Sequence, residues 1–324
     1  MVKENITDTN NIWLRRCPVC GSVNIEPIIR HCRSYVPRLS QLYDVYLCKQ
    51  CGLFFINPQP TRKAFKFSYP DECHFSLKLG RLEYFVNAFL KALNRRSGYN
   101  AWVLPPYEKG RDILDVGCGE GHFLEYARKM GYNAEGIEPD PVSVNFLRRK
   151  GFNVIQGFAE DTLKIIKKKY DAIYFTHVLE HTWQPITILK EASKILKKEG
   201  WMVITVPNAR WCGYTIFKRN CSLLVIPQHL FHFTPAWLIQ QLTCIGFHVT
   251  SLKFQVFPFA YARSLQMVFG IYRIVKRHLK AYMPLSFLMG ITSLFITFPI
   301  YILSIINPKL FCPHFTVIAI KYRD

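Results

Sequence analysis

A glycine-rich turn between an apolar strand and a helix constrains this chain more than any other feature. The turn DVGCGEG, Asp115 to Gly121, follows an apolar run and precedes HFLEYARKMG, whose apolar spacing is typical of a helix. Gly117, Gly119 and Gly121 allow the backbone to approach a ligand closely at the N-terminus of that helix. The pattern predicts a nucleotide-type ligand at the carboxyl end of a strand, with an ordinary α/β glycine turn as the alternative.

Two acidic residues narrow the class of ligand. The glycine spacing is GxGxG rather than the GxGxxG of dinucleotide sites, and Asp115 at the strand tip would repel a pyrophosphate. Glu138, at the end of the next predicted strand, is placed to accept hydrogen bonds from both hydroxyls of a ribose. A ligand with a ribose, an ammonium and a sulfonium would satisfy both carboxylates, and S-adenosylmethionine carries all three groups.

Strands and helices alternate after the turn. NAEGIEPD, FNVIQG, YDAIYFTHV and WMVITVPN are predicted strands, and the predicted helices include PVSVNFLRRKG and PITILKEASKILKKEG. Strands separated by helices predict a doubly wound, parallel α/β sheet. FHVTSLKF and HFTVIAIKY, the latter from His314 to Tyr322, are the predicted sixth and seventh strands.

Two cysteine pairs near the start predict a metal site. CPVCG contains Cys17 and Cys20, and CKQCG contains Cys48 and Cys51. Each CxxC places two sulfurs on one tight turn, and four thiolates complete the closed tetrahedral shell of a structural zinc. The sequence therefore predicts a zinc ribbon. The alternatives are free thiols or a ribbon that no longer binds metal.

The composition of the chain indicates its cellular compartment and the class of its partners. The net charge of +20 favours anionic partners, although scattered surface lysines could also account for it. The N-terminal MVKENITDTNN lacks the apolar segment of a signal peptide, and the 11 cysteines suit a reducing compartment. We therefore expect the chain in the cytoplasm, at the inner face of the plasma membrane.

The motifs together resemble the class I S-adenosylmethionine-dependent methyltransferases. Beyond the glycine turn, the similarity extends through DAIYFTHVLEHTWQPITILKEASKILKKEGWMVITVPN and QHLFHFTPAWLIQQLTCIGF, which look like the branch of ubiquinone-type O-methyltransferases. The resemblance implies a Rossmann-like sheet of seven strands, with the seventh strand between the fifth and the sixth. Phe158 stands where many members have an acid, so backbone groups near Ala159 and Glu160 are expected to contact the adenine. The predicted cofactor-binding residues are Asp115, Gly117, Cys118, Gly119, Gly121, Glu138, Pro139, Ala159, Glu160, Thr176 and His177.

Histidines after two strands are the candidate catalytic residues. His177 and His181 follow the fourth strand in THVLEH, and His229 follows the fifth strand in QHLFHFTP. If the methyl acceptor is a hydroxyl, a base must remove its proton, and an imidazole suits that task. The alternatives are hydrogen bonding to loop amides, packing, or Mg²⁺ binding with Glu180, although histidines make a poor oxygen-rich site.

An uncharged run of 22 residues, Leu285 to Ile306, is long enough to span a bilayer. A single crossing would separate the seventh strand from the rest of its sheet. We therefore expect a helical hairpin lying in the membrane interface, with VFPFAYARSLQMVFGIYRIV as its first arm and an anionic membrane surface as partner. A hairpin packed on the protein or in a dimer interface is the alternative.

These features predict five segments and one function. The segments are a zinc ribbon (12–60), a helical linker or cap (61–104), a methyltransferase core (105–255), an apolar hairpin (256–313) and the final strand (314–324). We expect O-methylation of a sugar, a glycan precursor or a lipid-linked acceptor at the cytoplasmic membrane face. The alternatives are an RNA methyltransferase, which the absence of an Asn/Asp-Pro-Pro-aromatic motif disfavours, and a non-catalytic module that binds S-adenosylmethionine.

Overall fold

The computed structural model describes residues 5–7, 11–34, 41–66, 102–106, 110–269, 299 and 302–322. The strands in chain order are β1 (Asn5–Thr7), β2 (Asn11–Leu14), β3 (Ile25–Arg33), β4 (Leu42–Cys48), β5 (Phe54–Asn57), β6 (Gln59–Pro60), β7 (Asp112–Val116), β8 (Asn133–Glu138), β9 (Asn153–Gln156), β10 (Tyr170–Thr176), β11 (Leu196–Pro207), β12 (Phe231–His232), β13 (Phe247–Gln255) and β14 (His314–Lys321). The helices are α1 (Arg62–Lys66), α2 (His122–Lys129), α3 (Pro141–Arg149), α4 (Ala159–Thr162), α5 (Pro185–Lys194), α6 (Cys212–Phe217), α7 (Pro235–Ile245), α8 (Pro258–Val268) and α9 (Pro308–Phe311).

The chain divides into two compact units, each described by itself. The first unit contains Met1–Ala101, Asn208–His232 and Phe254–His314, and the second contains Trp102–Pro207, Phe233–Lys253 and Phe315–Asp324. The five segment boundaries drawn from the sequence stay predictions beside this division.

The second unit is built on a seven-stranded sheet in the order β13-β14-β11-β10-β7-β8-β9. β10 pairs in parallel with both β7 and β11, and β8 pairs in parallel with β7 and β9. Ile113, Leu114, Ile173 and Phe175 are fully buried, as expected for central strands covered on both faces. The predicted α/β class is confirmed, and so is the place of the seventh strand, β14, between the fifth and the sixth.

Local sequence sets the ends of the helices in this unit. Asp140 precedes α3 and accepts a hydrogen bond from the Ser143 amide at 2.7 Å, with Pro141 in the first turn. Thr234 caps α7 through the Trp237 amide at 3.2 Å, and α7 is followed by Gly246, whose φ is 103°.

The predicted helix over residues 185–200 was too long. α5 ends at Lys194, and β11 already begins at Leu196, which pairs with Tyr170. The Tyr170 amide donates to the Ile195 carbonyl at 2.9 Å, so sheet pairing ends the helix at this point. Glu199, with a φ of 61°, then lies in an irregular stretch before the register resumes at Trp201.

Two aromatic residues fix the segment that precedes β7. The Tyr174 hydroxyl donates to the Val103 carbonyl at 2.7 Å, and the Tyr132 hydroxyl donates to the Pro105 carbonyl at 2.7 Å. Trp102 packs against Phe123, whose ring centroid lies 5.7 Å away. These contacts attach residues 102–105 to the core of the second unit.

The first unit contains two small sheets. β1, β2 and β6 form a three-stranded sheet, and β3, β4, β5 and β12 form a four-stranded sheet in the order β12-β5-β4-β3. β12 pairs antiparallel with β5, with Phe231 opposite Phe55, and the Ile56 amide donates to the Leu230 carbonyl at 3.0 Å. A segment distant in sequence therefore completes the sheet that carries the cysteine pairs.

Residues 270–298 and 300–301 of the predicted apolar hairpin (256–313), and most of the helical linker, fall outside the described residues. α8 belongs to the predicted first arm, and residues 302–306 are the helical end of the uncharged run. Among the residues that the structure describes, no helix combines the length and the apolar character that a bilayer crossing requires.

Candidate active site

The glycine turn leaves β7 and is tied to β8. The amides of Gly117 and Cys118 both donate to the Ile137 carbonyl, at 2.7 and 3.0 Å. The Gly121 amide donates to the Cys118 carbonyl at 2.9 Å, which closes the turn immediately before α2. The turn is thus fixed at the carboxyl edge of two central strands, where ligands of open α/β sheets bind.

The three glycines of the turn have different steric surroundings. All three have positive φ angles, 72° at Gly117, 53° at Gly119 and 78° at Gly121. A Cβ atom at Gly117 would clash with Val178, and one at Gly121 would clash with Leu147. A Cβ atom at Gly119 would meet nothing within 4 Å among the described residues, so the backbone there faces open space.

Alanine substitutions should separate folding from ligand binding in this turn. Gly121→Ala is expected to destabilise the protein by about 2 kcal/mol or more, because the new methyl group overlaps Leu147 in a left-handed backbone. Gly119→Ala should cost only about 1 kcal/mol of backbone strain, yet weaken ligand binding more than Gly121→Ala does. Urea unfolding and equilibrium binding of S-adenosylmethionine would measure both effects, and equal losses of affinity in the two variants would contradict this prediction.

Asp115 and Glu138 are the two buried acids at this edge of the sheet. Burial raises the pKa of Asp115 well above its ordinary value, and the nearby Glu138 carboxylate raises it further. A bound cation would reverse this effect because it stabilises the ionised carboxylate. The pair is therefore chemically suited to a positively charged ligand and unsuited to a phosphate.

Glu138 is held in place by backbone amides. One carboxylate oxygen, Oε2, accepts from the Gly119 amide at 2.8 Å, and the other, Oε1, accepts from the Asp140 amide at 3.0 Å. An ionised carboxylate has about four acceptor positions, and two adjacent hydroxyls of a ribose are donors of the kind that it accepts.

The residues predicted near the adenine lie at the start of α4. The Gly157 amide donates to the Glu138 carbonyl at 3.1 Å, which brings this loop beside the end of β8. Ala159 and Glu160 are both buried, and Glu160 accepts from the Trp183 amide at 3.0 Å. The Glu160 carboxylate therefore supports the loop after β10.

Three other predicted cofactor residues have distinct surroundings. The Cys118 side chain packs in a core cluster with Leu124 and Leu147. Pro139 is exposed. Thr176 is half-buried at the end of β10, opposite Thr205 of β11.

His177 and Glu180 lie side by side directly after β10. The distance from His177 Nδ1 to Glu180 Oε1 is 3.4 Å, with the histidine side chain 34% exposed and the glutamate side chain 1% exposed. Within the described part of the chain, neither Glu180 carboxylate oxygen makes a hydrogen bond. His177 has a φ of 56°, and its amide donates to the Thr205 carbonyl at 2.9 Å. A buried carboxylate thus faces one nitrogen of a partly exposed imidazole.

His181 and His229, the other candidate bases, lie in different units. His181 is half-buried, and its amide donates to the Val178 carbonyl at 2.9 Å. His229 is buried in the first unit, with its Nδ1 at 2.8 Å from the Leu223 carbonyl oxygen.

His232 was not predicted as a site residue, although it stands three residues after His229. Its Nδ1 lies 3.1 Å from the Tyr214 hydroxyl, and burial lowers its pKa to about 3. The spacing in QHLFHF could have drawn attention to this pair, whose ring centroids are 6.1 Å apart.

A shallow cavity of about 520 Å³ lies away from the glycine turn. Its lining includes Leu104, Tyr126, Lys129, Met130 and Tyr132, at the carboxyl end of α2. The glycine turn is at the amino end of the same helix, so the cavity is separate from the predicted cofactor site.

The four predicted metal-binding cysteines form one cluster. One sulfur from each of Cys17, Cys20, Cys48 and Cys51 lies within 4.8 Å of the others. The Sγ–Sγ distances are 3.7 Å for Cys17–Cys51 and 3.5 Å for Cys20–Cys48. A tetrahedron of thiolates around zinc has edges of about 3.8 Å, so the donor set and its spacing fit that metal.

Comparison with known proteins supports the same fold and chemistry. The methyltransferase domain family matches residues 69–252. A ubiquinone biosynthesis O-methyltransferase from Hydrogenovibrio crunogenus is 29% identical over 37% of this chain and 53% of the relative. The corresponding protein from Azorhizobium caulinodans is 28% identical over 51% of this chain and 69% of the relative. The chain therefore spans about half to two thirds of the length of these relatives.

Among solved structures, a SAM-dependent methyltransferase from Archaeoglobus fulgidus is similar at 22% identity and a TM-score of 0.45, covering 74% of this chain and 99% of that one. The family match extends over more than half of the sequence and includes β7 to β11 with the glycine turn, Asp115 and Glu138. The chain belongs to the methyltransferase domain family, among the class I S-adenosylmethionine-dependent methyltransferases.

Proposed function

We propose that this chain is an enzyme that transfers a methyl group from S-adenosylmethionine to a hydroxyl group. The observation that carries the proposal is the pair of buried acids, Asp115 and Glu138, at a glycine turn with open space beside Gly119. Asp115 would hold the positively charged methionine end, and Glu138 would accept the ribose hydroxyls. When bound, S-adenosylmethionine would supply a methyl group on a sulfonium: the acceptor oxygen attacks the methyl carbon in line, and the carbon–sulfur bond breaks to release the neutral thioether.

His177 is the best-placed base for a hydroxyl acceptor. Glu180 faces its Nδ1 and stabilises the tautomer that carries the proton there, which leaves Nε2 to accept the proton of the hydroxyl. Because Glu180 is buried, it remains close to the imidazole and stabilises the charge that develops on it. His181 and His229 remain the other candidate bases.

Replacing His177 should affect the chemical step. His177→Gln is expected to lower the turnover number at saturating S-adenosylmethionine by roughly 100-fold or more. Glu180→Gln should reduce turnover less, because it leaves the imidazole in place. Single-turnover rates with a defined acceptor, measured against His248→Gln as an exposed control in β13, would test this. Unchanged turnover in His177→Gln would exclude it as the base.

The acceptor class follows from charge and from the family. The ubiquinone-type relatives are O-methyltransferases by name, and the net charge of +20 suits acceptors that carry phosphate or pyrophosphate. A sugar, a glycan precursor or a lipid-linked acceptor meets both conditions. Such an acceptor would be methylated at the cytoplasmic face of the plasma membrane, with an anionic membrane surface as partner.

The cysteine cluster of the first unit binds a structural zinc in this proposal. Four thiolates leave no open coordination position, so the metal holds β3, β4 and β5 together and takes no part in methyl transfer. The strand β12 is hydrogen-bonded to the same sheet.

Labelling of an extract from the host organism would test the proposed acceptor. The detergent-solubilised enzyme would receive S-adenosylmethionine with a radioactive methyl group, and the product label would be divided into lipid, soluble sugar and nuclease-sensitive polymer. We expect label in the lipid or the sugar fraction. Label released by nuclease would instead favour the RNA methyltransferase alternative, and no transfer with intact cofactor binding would favour the non-catalytic module.

A further inference from the structure

The C-terminal part of the chain has an unusual charge distribution. The chain contains 22 acidic residues, but none of them lies between Glu199 and Asp324. The two later segments of the first unit, Asn208–His232 and Phe254–His314, therefore carry only positive charges. This part of the molecule attracts anionic surfaces without opposing carboxylates.

The helical residues 302–306 have an inverted pattern of burial. Ser304, the single polar residue, is 5% exposed and hydrogen-bonds the Cys312 thiol. The apolar residues around it face outward, with Ile302 44%, Leu303 38%, Ile305 66% and Ile306 72% exposed. A water-facing helix would bury its apolar residues and expose its serine, so this arrangement suits an apolar environment.

α8 also buries a serine and ends in exposed apolar residues. Ser264 is fully buried, where it donates to the Ala260 carbonyl at 2.7 Å and accepts from the Ser222 amide at 3.0 Å. Val268 and Phe269, at the end of this helix, are 46% and 70% exposed. α6 contacts both α8 and α9, so these helices belong to one cluster within the first unit.

We propose that the apolar face formed by Val268, Phe269, Ile302, Leu303, Ile305 and Ile306 enters the interface of an anionic bilayer. This inference rests on the proposed membrane location and names the residues that make the contact. The exposed side chains of Lys218, Arg219, Arg263 and Lys309 lie on or next to the helices of this cluster and suit lipid phosphates.

Two features favour a lipid surface over a protein partner. Four of the six residues of this face are the end of the 22-residue uncharged run, which ends at Ile306 and is followed three residues later by Lys309. Segments that bind at a membrane interface typically combine apolar residues with flanking cations and lack acidic residues. An interface between two copies of this chain would instead bring positive charges together.

Vesicle flotation of the full-length protein would test this proposal. We expect binding to vesicles with about a third of anionic lipid, and at least tenfold weaker binding to zwitterionic vesicles at low salt. The double variant Ile305→Ser/Ile306→Ser should lose roughly tenfold or more of its affinity for the anionic vesicles. Lys309→Gln should lose about fivefold, with a weaker dependence on salt. Ile165→Ser is the matched control, since Ile165 is also 72% exposed but lies in the second unit.

The outcomes are separable from those of the proposed function. Each variant would also be tested for S-adenosylmethionine affinity, which should stay within about twofold of the wild-type value because the face is distinct from the glycine turn. Vesicle binding that is the same for the wild type and the double serine variant would overturn the proposal. The proposal would also be overturned if the wild type were a dimer that bound no vesicles and the double variant were a monomer. The face would then join two copies of the chain. Vesicle binding without methyl transfer would leave this proposal intact and count against the proposed function.

Discussion

Asp115→Asn is expected to weaken S-adenosylmethionine binding by roughly 10- to 150-fold while leaving the folded protein at least as stable as the wild type. The loss corresponds to removing one charge-assisted contact with the cationic methionine end of the cofactor. Asparagine has nearly the same shape as aspartate, so the strand tip should keep its packing. The gain in stability follows from burial, since an ionised carboxyl at this buried position is unfavourable without a cation.

The pH dependence of stability has a definite sign for this residue. Burial raises the pKa of Asp115 in the folded protein above its ordinary value of 3.8. Between these two pKa values the folded state holds a proton that the unfolded state has released, so this group lowers stability as the pH rises through that window. The asparagine variant should lack this decrease.

Urea unfolding at several pH values and equilibrium binding of S-adenosylmethionine measure the two effects of Asp115→Asn. Glu199→Gln, an exposed substitution at a distance from the turn along the chain, is the control and should change neither quantity. If the variant and the wild type bind the cofactor with equal affinity, Asp115 is not part of the binding site. A variant that fails to fold would show that the carboxyl has a structural function instead.

Metal removal is expected to disorder the ribbon sheet and, with it, the distant strand β12. The turn that contains Cys48 and Cys51 leads directly into β5, and β5 pairs with β12. Structural zinc sites of this kind contribute about 10–16 kcal/mol of apparent binding free energy, so the sheet should not survive without the metal. The effect should reach His229 and His232, which lie beside and within β12.

Hydrogen exchange in the Cys48→Ser variant would measure this effect. Peptides that cover residues 54–57 and 230–232 should exchange at least 100-fold faster than in the metal-loaded wild type. Peptides from β7, in the second unit, provide the internal reference. Cys244→Ser removes an exposed cysteine outside the cluster and should change nothing. Unchanged protection of β5 and β12 in Cys48→Ser would mean that the ribbon folds without metal.

The second unit was largely predictable because its signals are local. The central strands β7 and β10 are short apolar runs, and some helices have a clear cap or stop, such as Asp140 before α3 or Gly246 after α7. The glycine turn with Asp115 predicted a cationic ligand without any structural information. The position of β14 came from the resemblance to a known family, since no local pattern specifies the order of strands.

The features that sequence analysis missed depend on contacts between distant residues. The pairing of Phe231 with Phe55 connects residues far apart in the chain, and two residues of strand carry no recognisable periodicity. The helix α5 ended early because Leu196 pairs with Tyr170, which overrides a helical pattern. The exposed apolar face is recognised only from the burial of individual side chains, since a serine between Leu303 and Ile305 has no distinct meaning in the sequence.

Equilibrium binding of S-adenosylmethionine and of NADH to the full-length protein tests the central claim most directly. Calorimetry in two buffers would also measure the number of protons released per bound cofactor. That number should approach about one at pH values at which Asp115 must ionise on binding. We predict that S-adenosylmethionine binds with proton release and that NADH does not bind. Binding of NADH instead, or no binding of S-adenosylmethionine, would contradict the assignment of Asp115 and Glu138.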